Sequence, residues 1–248
     1  MTAIAEEKSQ SCSTPMRIAV LGATGGVGAH VVRLALEQGH TVVALARDPS
    51  KIVASGDLMK KVAFDVSLAT AAELQASIEG TDFVLSCLGN RRGEEKIVEQ
   101  GTSMLLKAMA ASGVPRMAMV SSIGVGDSGL QLLRLGFGGW VFAALFSTLL
   151  RGTKNDLAAT EELCIGSAEG WVSSARPHAR PSEVSCVVVR PAGLSNAPGE
   201  GKYDVALASG TVGGSVAREH LCRKQTRNVL PEPPERLINQ GRLELGAA

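Results

Sequence analysis

The chain has 248 residues and a formal net charge of +1, with charges of both signs mixed along its length. This length suits one α/β domain with its own core and leaves no room for a second full domain. The balanced charge excludes a strong overall field toward nucleic acid, anionic lipid or an acidic partner. A small molecule is therefore the expected partner.

The five cysteines and four histidines are scattered, with no C-x-x-C pair and no spacing typical of metal ligands. We therefore predict reduced, structural thiols and no metal site. Residues 1–15 are polar and lack the apolar core of a secretory signal and the arginines of a transit peptide. They are predicted to be a disordered lead-in to a cytoplasmic protein, with an organelle interior left open as a location.

One segment, Leu135–Leu150, is strongly apolar and is closed by Arg134 and Arg151. A membrane-spanning helix needs roughly 20 apolar residues, and this segment is shorter. We therefore predict no transmembrane span here. The segment is expected to be a helix covered by protein.

From Arg17 onward, short apolar runs alternate with amphipathic stretches, which is typical of β-α-β units in a parallel sheet. Helical spacing of apolar residues follows the first run, ends at Gly39 and returns over 94–112 and 155–165. The predicted strands are Arg17–Leu21, Thr41–Ala46, Val62–Phe64, Asp82–Leu88, Met117–Ser121 and Val184–Arg190.

This order of elements predicts one doubly wound α/β domain of the Rossmann type, with a mostly parallel sheet, over residues 16–220. Its substrate-side elements are expected after about residue 125. The stretch 169–183 is rich in Ser, Pro and Arg and is predicted to be an exposed loop. The pattern weakens after Leu194, and residues 221–248 are predicted to be a poorly defined tail.

A glycine-rich turn follows the first predicted strand and opens the first predicted helix. Backbone N–H groups at a helix N-terminus bind pyrophosphate, and glycine lets the backbone approach it closely. A turn that only packs a helix onto a strand is the alternative, but the flanking strands favour dinucleotide binding. The turn consists of Gly22, Ala23, Thr24, Gly25, Gly26, Val27 and Gly28.

The end of the second predicted strand carries Arg47, where an acidic residue usually binds the adenosine ribose of NAD. A basic residue accommodates the 2′-phosphate of NADP instead. Asp48 follows directly and would restore NAD binding if the strand ended one residue later, whereas Lys51 adds positive charge. The sequence favours NADP(H), and a solvated turn is the alternative.

The chain resembles the atypical short-chain dehydrogenases of the NAD(P)H-binding group, which includes the biliverdin-IXβ/flavin reductases and the NmrA-like redox sensors. The likeness spans roughly residues 17–194. Besides the glycine-rich turn, it rests on residues 46–51, Asp65-Val66, 85–89, Val120-Ser121-Ser122 and 190–194.

The resemblance implies cofactor contacts at the carboxyl edge of the sheet, where ligands of open parallel sheets bind. Asp65 and Val66 would meet the adenine, and Lys154 would approach the nicotinamide ribose, with Glu161 or Glu162 on the same helical segment. The residues implied to line the rest of the cofactor are Leu88, Gly89, Ser121, Pro191, Ala192, Gly193 and Leu194.

Typical short-chain dehydrogenases use a Tyr-x-x-x-Lys pair, in which the lysine lowers the pKa of the tyrosine that exchanges the substrate proton. This chain has no such pair, because its single tyrosine, Tyr203, lies outside the dinucleotide half. Ser122 is the remaining hydroxyl candidate for a catalytic residue. The long loop and the tail also depart from the family pattern, in the region where substrate specificity would be built.

Two functions are consistent with these observations. The first is an NADPH-dependent oxidoreductase that delivers hydride to a flat acceptor such as a flavin, a quinone or a tetrapyrrole-like molecule, since such chemistry resides in the cofactor. The second is a non-catalytic NADP(H)-responsive module that presents a surface to a protein or membrane partner. The substrate and the oligomeric state are left open.

Overall fold

A computed structural model describes residues 14–90, 96–125, 151–169, 184–191, 193–196, 204–207, 215–217 and 242–246, with single positions between 137 and 150. Four helices lie within these ranges: α1 (Gly26–Glu37), α2 (Ala71–Ile78), α3 (Ile97–Ser112) and α4 (Arg151–Glu169). The strands of the main sheet are β1 (Arg17–Leu21), β2 (Thr41–Ala46), β3 (Met59–Ala63), β4 (Phe83–Ser86), β5 (Arg116–Val120), β6 (Ser185–Pro191), β8 (Asp204–Leu207) and β10 (Arg242–Gly246). A separate parallel pair joins β7 (Gly193–Ser195) to β9 (Ser215–Ala217).

The main sheet has the strand order β3-β2-β1-β4-β5-β6-β10-β8 among the described residues. Its first six strands are parallel, and β8 alone pairs in the antiparallel direction. The order reverses at β1, which pairs with β2 on one side and with β4 on the other. Open parallel sheets bind ligands outside the carboxyl ends of the strands at such a reversal.

Helices cover both faces of the sheet, and β1 is buried between them. Ile18 and Val20 belong to an apolar cluster that includes the buried side chains of α1. Ala19 and Leu21 belong to the cluster on the other face, which includes residues of α2, α3 and α4. A strand buried on both faces is a continuous apolar run, which explains why its sequence does not alternate. The doubly wound fold that the sequence predicts is therefore confirmed.

The buried central elements lie close to their predicted positions. β1 and β2 have the predicted bounds. Gly39 has φ +80°, and its N–H donates to the carbonyl of Leu36, so it ends α1 in the left-handed region as predicted. α4 extends beyond the predicted range of 155–165 at both ends.

Two elements at the outer edge of the sheet were harder to predict. β3 begins at Met59, earlier than the predicted Val62, because it is an edge strand whose lysines at 60 and 61 are exposed. The sequence prediction missed α2, although Thr70 and Glu73 form a capping box at its start. Few apolar residues are needed at a partly solvated edge, so the apolar pattern there is weak.

The tail contributes a strand that the sequence pattern did not predict. β10 pairs in parallel with β6 and in antiparallel with β8, which extends the main sheet beyond β6. The long separation of β10 from β6 in the sequence gives no local signal of this pairing. Glu169, the first residue of the predicted loop 169–183, belongs to α4, and the rest of that loop and Tyr203 lie outside the described residues.

Most of the apolar segment Leu135–Leu150 also lies outside the described residues. At the positions that are described, Phe137 is 87% exposed and Trp140 is 61% exposed. The prediction that protein covers this segment is therefore wrong for these side chains within this chain. In the described parts of the chain, the helices are too short or too polar to cross a membrane. The same residues contain no cluster of three or more potential metal ligands.

The N-terminus of α3 is capped by a side chain from α4. Asp156 is buried, and its carboxylate accepts hydrogen bonds from the N–H groups of Val98 at 3.0 Å and Glu99 at 2.7 Å. The residue before the helix, Lys96, has φ +63° and provides no side-chain cap of its own. A carboxylate at this end also opposes the positive end of the helix dipole. Asp156 therefore fixes α3 to α4.

Asp156→Ala should lower the free energy of unfolding by about 1.5–3 kcal/mol, because two N–H groups lose a charged acceptor in the interior. Thr70→Ala removes only the exposed cap of α2 and should cost about 1 kcal/mol. Urea denaturation monitored by circular dichroism measures both values. Equal losses for the two variants would contradict the assigned role of Asp156.

Candidate functional site

The glycine-rich turn lies at the strand reversal, between the ends of β1, β2 and β4. Gly22 has φ +83°, a backbone conformation that L side chains rarely adopt. The N–H groups of Gly22 and Ala23 both donate to the carbonyl of Leu45, each at 3.1 Å. These two bonds fix the turn to the end of β2.

Two of the glycines are required by close contacts between backbone segments. A Cβ atom on Gly22 would lie 2.7 Å from the carbonyl oxygen of Cys87, which follows β4. A Cβ atom on Gly28 would overlap the carbonyl oxygen of Gly22 itself. The turn, the first turn of α1 and the end of β4 are thus packed backbone to backbone.

The N-terminus of α1 is open to an anion. Its cap residue, Gly25, makes no side-chain hydrogen bond, and the first turn of the helix contains no acidic residue. Thr24, Gly25 and Gly26 are exposed. Since the N–H groups and the helix dipole favour negative charge here, this arrangement suits a pyrophosphate.

The end of β2 is followed by Arg47, which is exposed, and by Asp48, whose carboxylate is bonded to neighbouring residues. The Oδ1 of Asp48 accepts hydrogen bonds from the N–H of Ser50 at 3.1 Å and from its hydroxyl at 2.5 Å, and Lys51 Nζ lies 3.1 Å from Oδ2. These bonds, those from Ser50 foremost, hold the pKa of Asp48 below its ordinary value. Asp48 therefore serves as the cap of the short 3-10 turn Pro49–Lys51.

The end of β3 carries the two residues implied to meet adenine. Asp65 is half-buried, and its Oδ1 accepts a hydrogen bond from the N–H of Ser67 at 2.9 Å. Val66 is buried and packs with Leu88 against Gly101 of α3, where a Cβ atom would overlap the Leu88 side chain. Gly101 thus lets α3 approach the ends of β3 and β4, which brings Val66 and Leu88 together.

The segment that follows β4 carries three further residues to consider, at positions 87, 89 and 90. Gly89 is exposed, and an added Cβ there would meet no atom within 4 Å. The next residue, Asn90, has a buried Oδ1 without a hydrogen-bond partner among the described residues. Burial raises the pKa of the Cys87 thiol to about 12, which excludes it as a thiolate nucleophile near neutral pH.

A buried charged cluster lies below the ends of β5 and β6. Glu161 of α4 accepts hydrogen bonds at Oε1 from the Ser121 hydroxyl at 2.6 Å and from Arg190 Nε at 2.8 Å. Arg190 also donates through Nη2 to the second carboxylate oxygen. All three side chains are buried, with exposed fractions of 6% for Ser121, 3% for Glu161 and 1% for Arg190. The Ser121 hydroxyl, which the resemblance places on the cofactor, is thus bonded to Glu161.

The remaining candidates lie after β5, in β7 and in the first turn of α4. Ser122 is half-buried, and its hydroxyl donates to the carbonyl of Ile123 at 3.2 Å. The N–H of Ile123 donates to the carbonyl of Pro191, which joins the segments that follow β5 and β6. Leu194 is half-buried in β7, beside Gly193. Lys154 is half-buried in the first turn of α4.

Ala192 lies outside the described residues. The sequence prediction missed the roles of Asp156 and Glu161, whose partners are 29 to 58 residues away along the chain. The only available signal was the family position of Glu161 or Glu162, and the structure distinguishes them because Glu162 is exposed. Long-range polar contacts of this kind leave no periodic pattern in a sequence.

The geometry agrees with the comparison against known families. A family model described as NAD(P)H-binding matches residues 22–223, and the chain belongs to this family. The match begins at the first glycine of the turn and includes β6, so it covers every site residue described above. Membership of this family supports a nicotinamide cofactor for the chain.

Solved structures share the fold. An oxidoreductase from Lactococcus lactis, ylbE, superposes with a TM-score of 0.69 at 16% identity, covering 94% of this chain and 91% of that one. The anaerobillin reductase ChuY from Escherichia coli O157:H7 superposes with a TM-score of 0.66 at 20% identity, covering 93% and 97%. A proposed NADH-flavin reductase from Streptococcus pneumoniae gives 0.68 at 16% identity, covering 94% and 100%.

A relative among curated proteins is an uncharacterized protein of Mycobacterium tuberculosis, which is 40% identical over 108 residues. The matched segment covers 43% of this chain and 12% of that relative. The relative is therefore a much longer protein, and its likeness to this chain concerns one part of it.

Gly28→Ala should destabilise the protein by about 1–3 kcal/mol and prevent cofactor binding, because the added methyl group would overlap a backbone oxygen that cannot move alone. Gly152→Ala is the matched control, since an added Cβ in that helix would meet no atom within 4 Å. Thermal unfolding and titration with NADPH measure both effects. A Gly28→Ala protein that binds NADPH like the parent would contradict the described packing.

Proposed function

We propose that the chain is an NADPH-dependent oxidoreductase that delivers hydride to a flat small-molecule acceptor. The observation that carries this proposal is the open N-terminus of α1 beside the exposed Arg47 at the end of β2. The helix end suits the pyrophosphate, and a guanidinium suits a 2′-phosphate through charge-assisted hydrogen bonds. Membership of the NAD(P)H-binding family supports a nicotinamide cofactor without deciding between NAD and NADP.

The state of Asp48 supports the choice of NADP. In a site for NAD, an acidic residue at the end of the second strand accepts hydrogen bonds from the adenosine ribose. Both carboxylate oxygens of Asp48 already have local partners in Ser50 and Lys51. Arg47 would then provide the charge that a 2′-phosphate requires, and Lys51 would add to it by exchanging Asp48 for the phosphate.

The chain's other residues would orient the cofactor. Asp65 and Val66 would border the adenine, and Gly89 would leave room for the nicotinamide half. Pro191 and the segment that follows it would border the nicotinamide ring, and Lys154 would approach the adjoining ribose. The cofactor, when bound, supplies the hydride, so the chain's principal task is to align donor and acceptor.

Reduction by hydride also consumes one proton. Ser122 is the proposed donor of a hydrogen bond or proton to the acceptor, and its bond to the Ile123 carbonyl would be exchanged for the acceptor. Flavins and quinones accept hydride without a strong acid, which suits a site with no Tyr-x-x-x-Lys pair. The reductases that share the fold act on a bilin or a flavin by their names, which favours an acceptor of this flat kind.

Arg47→Ala should weaken NADPH binding by roughly ten- to a hundred-fold and leave NADH binding nearly unchanged, because only NADPH carries a phosphate at this position. Lys60→Ala is the matched control, as Lys60 is an exposed cation on the neighbouring strand β3. Calorimetric titration of both cofactors measures the preference. If the parent binds NADH as tightly as NADPH, or if Arg47→Ala lowers both affinities equally, the choice of NADP is wrong.

Steady-state oxidation of NADPH with a panel of flavins, quinones and bilins tests the reaction itself. Turnover with at least one acceptor is expected, and Ser122→Ala should lower kcat by about 10²-fold, the usual scale for loss of a proton-transfer group. Tyr203→Phe is the control and should leave kcat near that of the parent. A large loss in Tyr203→Phe with unchanged NADPH binding would restore a tyrosine acid.

A non-catalytic NADP(H)-responsive module, like the NmrA-like sensors, is the second candidate. The exposed apolar side chains of Phe137 and Trp140 favour it, because exposed apolar patches commonly bind a protein or membrane partner. Tight binding of NADPH with no oxidation by any acceptor in the panel would favour this candidate.

For either function we propose a cytoplasmic location, where the thiols of Cys87, Cys164 and Cys186 would stay reduced.

A further inference from the structure

The buried cluster of Ser121, Glu161 and Arg190 joins three elements at the carboxyl edge of the sheet. Ser121 directly follows β5, Arg190 is the penultimate residue of β6, and Glu161 lies in α4. Glu161 receives hydrogen bonds at both carboxylate oxygens, from the side of β5 and from the side of β6. One carboxylate therefore joins α4 to the ends of both strands, which are themselves paired through backbone hydrogen bonds.

Stability alone does not explain a charged cluster at this place. Removing two charges from water is expensive, and well-packed apolar side chains of similar volume are often as stable as a buried ion pair or more stable. The ion pair provides a fixed geometry, because the guanidinium and the carboxylate meet through directed, bidentate bonds. Apolar side chains provide no such directed bonds. The cluster is thus better explained by the arrangement of residues that it fixes than by a gain in stability.

The hydrogen bonds around the cluster connect the segment that follows β5 to the last residues of β6. The Ser121 proton is directed to Glu161, so the Ser121 oxygen can act toward other groups only as an acceptor. The backbone N–H of Ser121 donates to the carbonyl of Val189, and the N–H of Ile123 donates to the carbonyl of Pro191. Ser122 lies between these two bonds. Backbone bonds on both sides of Ser122 thus join it to the end of β6, and Glu161 is bonded to the neighbouring residue on each strand.

We propose that Glu161, through Arg190 and Ser121, is a positioning residue that holds the ends of β5 and β6 in the arrangement that the nicotinamide half of the cofactor requires. This inference rests on the proposed function, because it needs a nicotinamide dinucleotide at this edge. The adenine half lies beyond the strand reversal, at the ends of β2 and β3. Glu161 should therefore affect binding of the nicotinamide half of the cofactor and not binding of the adenine half.

The test compares NADPH with adenosine 2′,5′-bisphosphate, which has the adenine half and lacks the nicotinamide half. Glu161→Gln keeps the size of the side chain and removes its charge, and it should weaken NADPH binding by about tenfold, the scale of one charge-assisted bond. Binding of adenosine 2′,5′-bisphosphate should stay unchanged. Glu162→Gln, an exposed acid one residue away, is the matched control and should change neither affinity.

A double variant, Glu161→Leu with Arg190→Met, keeps the test decisive if the single variant folds poorly. Apolar replacement of both partners should restore the unfolding midpoint without restoring NADPH affinity, because packing returns and the directed bonds do not. The fluorescence of bound NADPH provides a second measurement, and its emission should shift toward that of free NADPH in both variants. Calorimetry and thermal unfolding complete the comparison.

Each outcome decides the matter. Selective loss of NADPH affinity in both variants supports the proposal. The proposal is overturned if the two ligands weaken together, if the double variant regains full NADPH affinity, or if Glu161→Gln binds NADPH like the parent. If the parent binds neither ligand, the proposed function itself fails, and this inference fails with it.

Discussion

The contact between Gly22 and the carbonyl of Cys87 determines much of what lies around it. Because Gly22 has no Cβ atom, the backbone of the turn can lie against the end of β4, and α1 begins at Gly26, shortly after β1 ends at Leu21. Gly28 then rests on the carbonyl of Gly22, which fixes the direction of the helix. The N-terminus of α1, where Gly25 and Gly26 are exposed, consequently lies at the reversal of strand order, where a ligand of this fold binds.

Among the helices that begin at this edge of the sheet, α1 and α3 differ in the charge at their N-termini. The start of α1 has glycines and no acidic residue, so its positive end is open to a bound anion. The start of α3 is neutralised by the buried carboxylate of Asp156. With Arg47 exposed beside the open helix, the electrostatics of the edge favour a phosphate at α1 and disfavour one at α3. The proposed dinucleotide would therefore be oriented with its pyrophosphate at α1.

The sequence predicted the parts of this arrangement that depend on local pattern. β1, β2 and the end of α1 follow from apolar runs buried on both faces and from a glycine in the left-handed region, and the glycine-rich turn follows from its motif. The edge strand β3 and the helix α2 were less predictable, because partly solvated elements need few apolar residues. The partners of Asp156 and Glu161 lie far away along the chain, so no window of sequence contains both members of these contacts.

The most direct test of the account is a ¹H–¹⁵N correlation spectrum recorded while NADP⁺ is added. The account predicts the largest changes at the backbone amides of Gly25, Gly26 and the residues next to them, where the pyrophosphate would meet the open end of α1. The amides of Val98 and Glu99 should change little, because Asp156 already occupies the start of α3. Large changes at Val98 and Glu99 with a silent glycine-rich turn, or no changes at all, would contradict it.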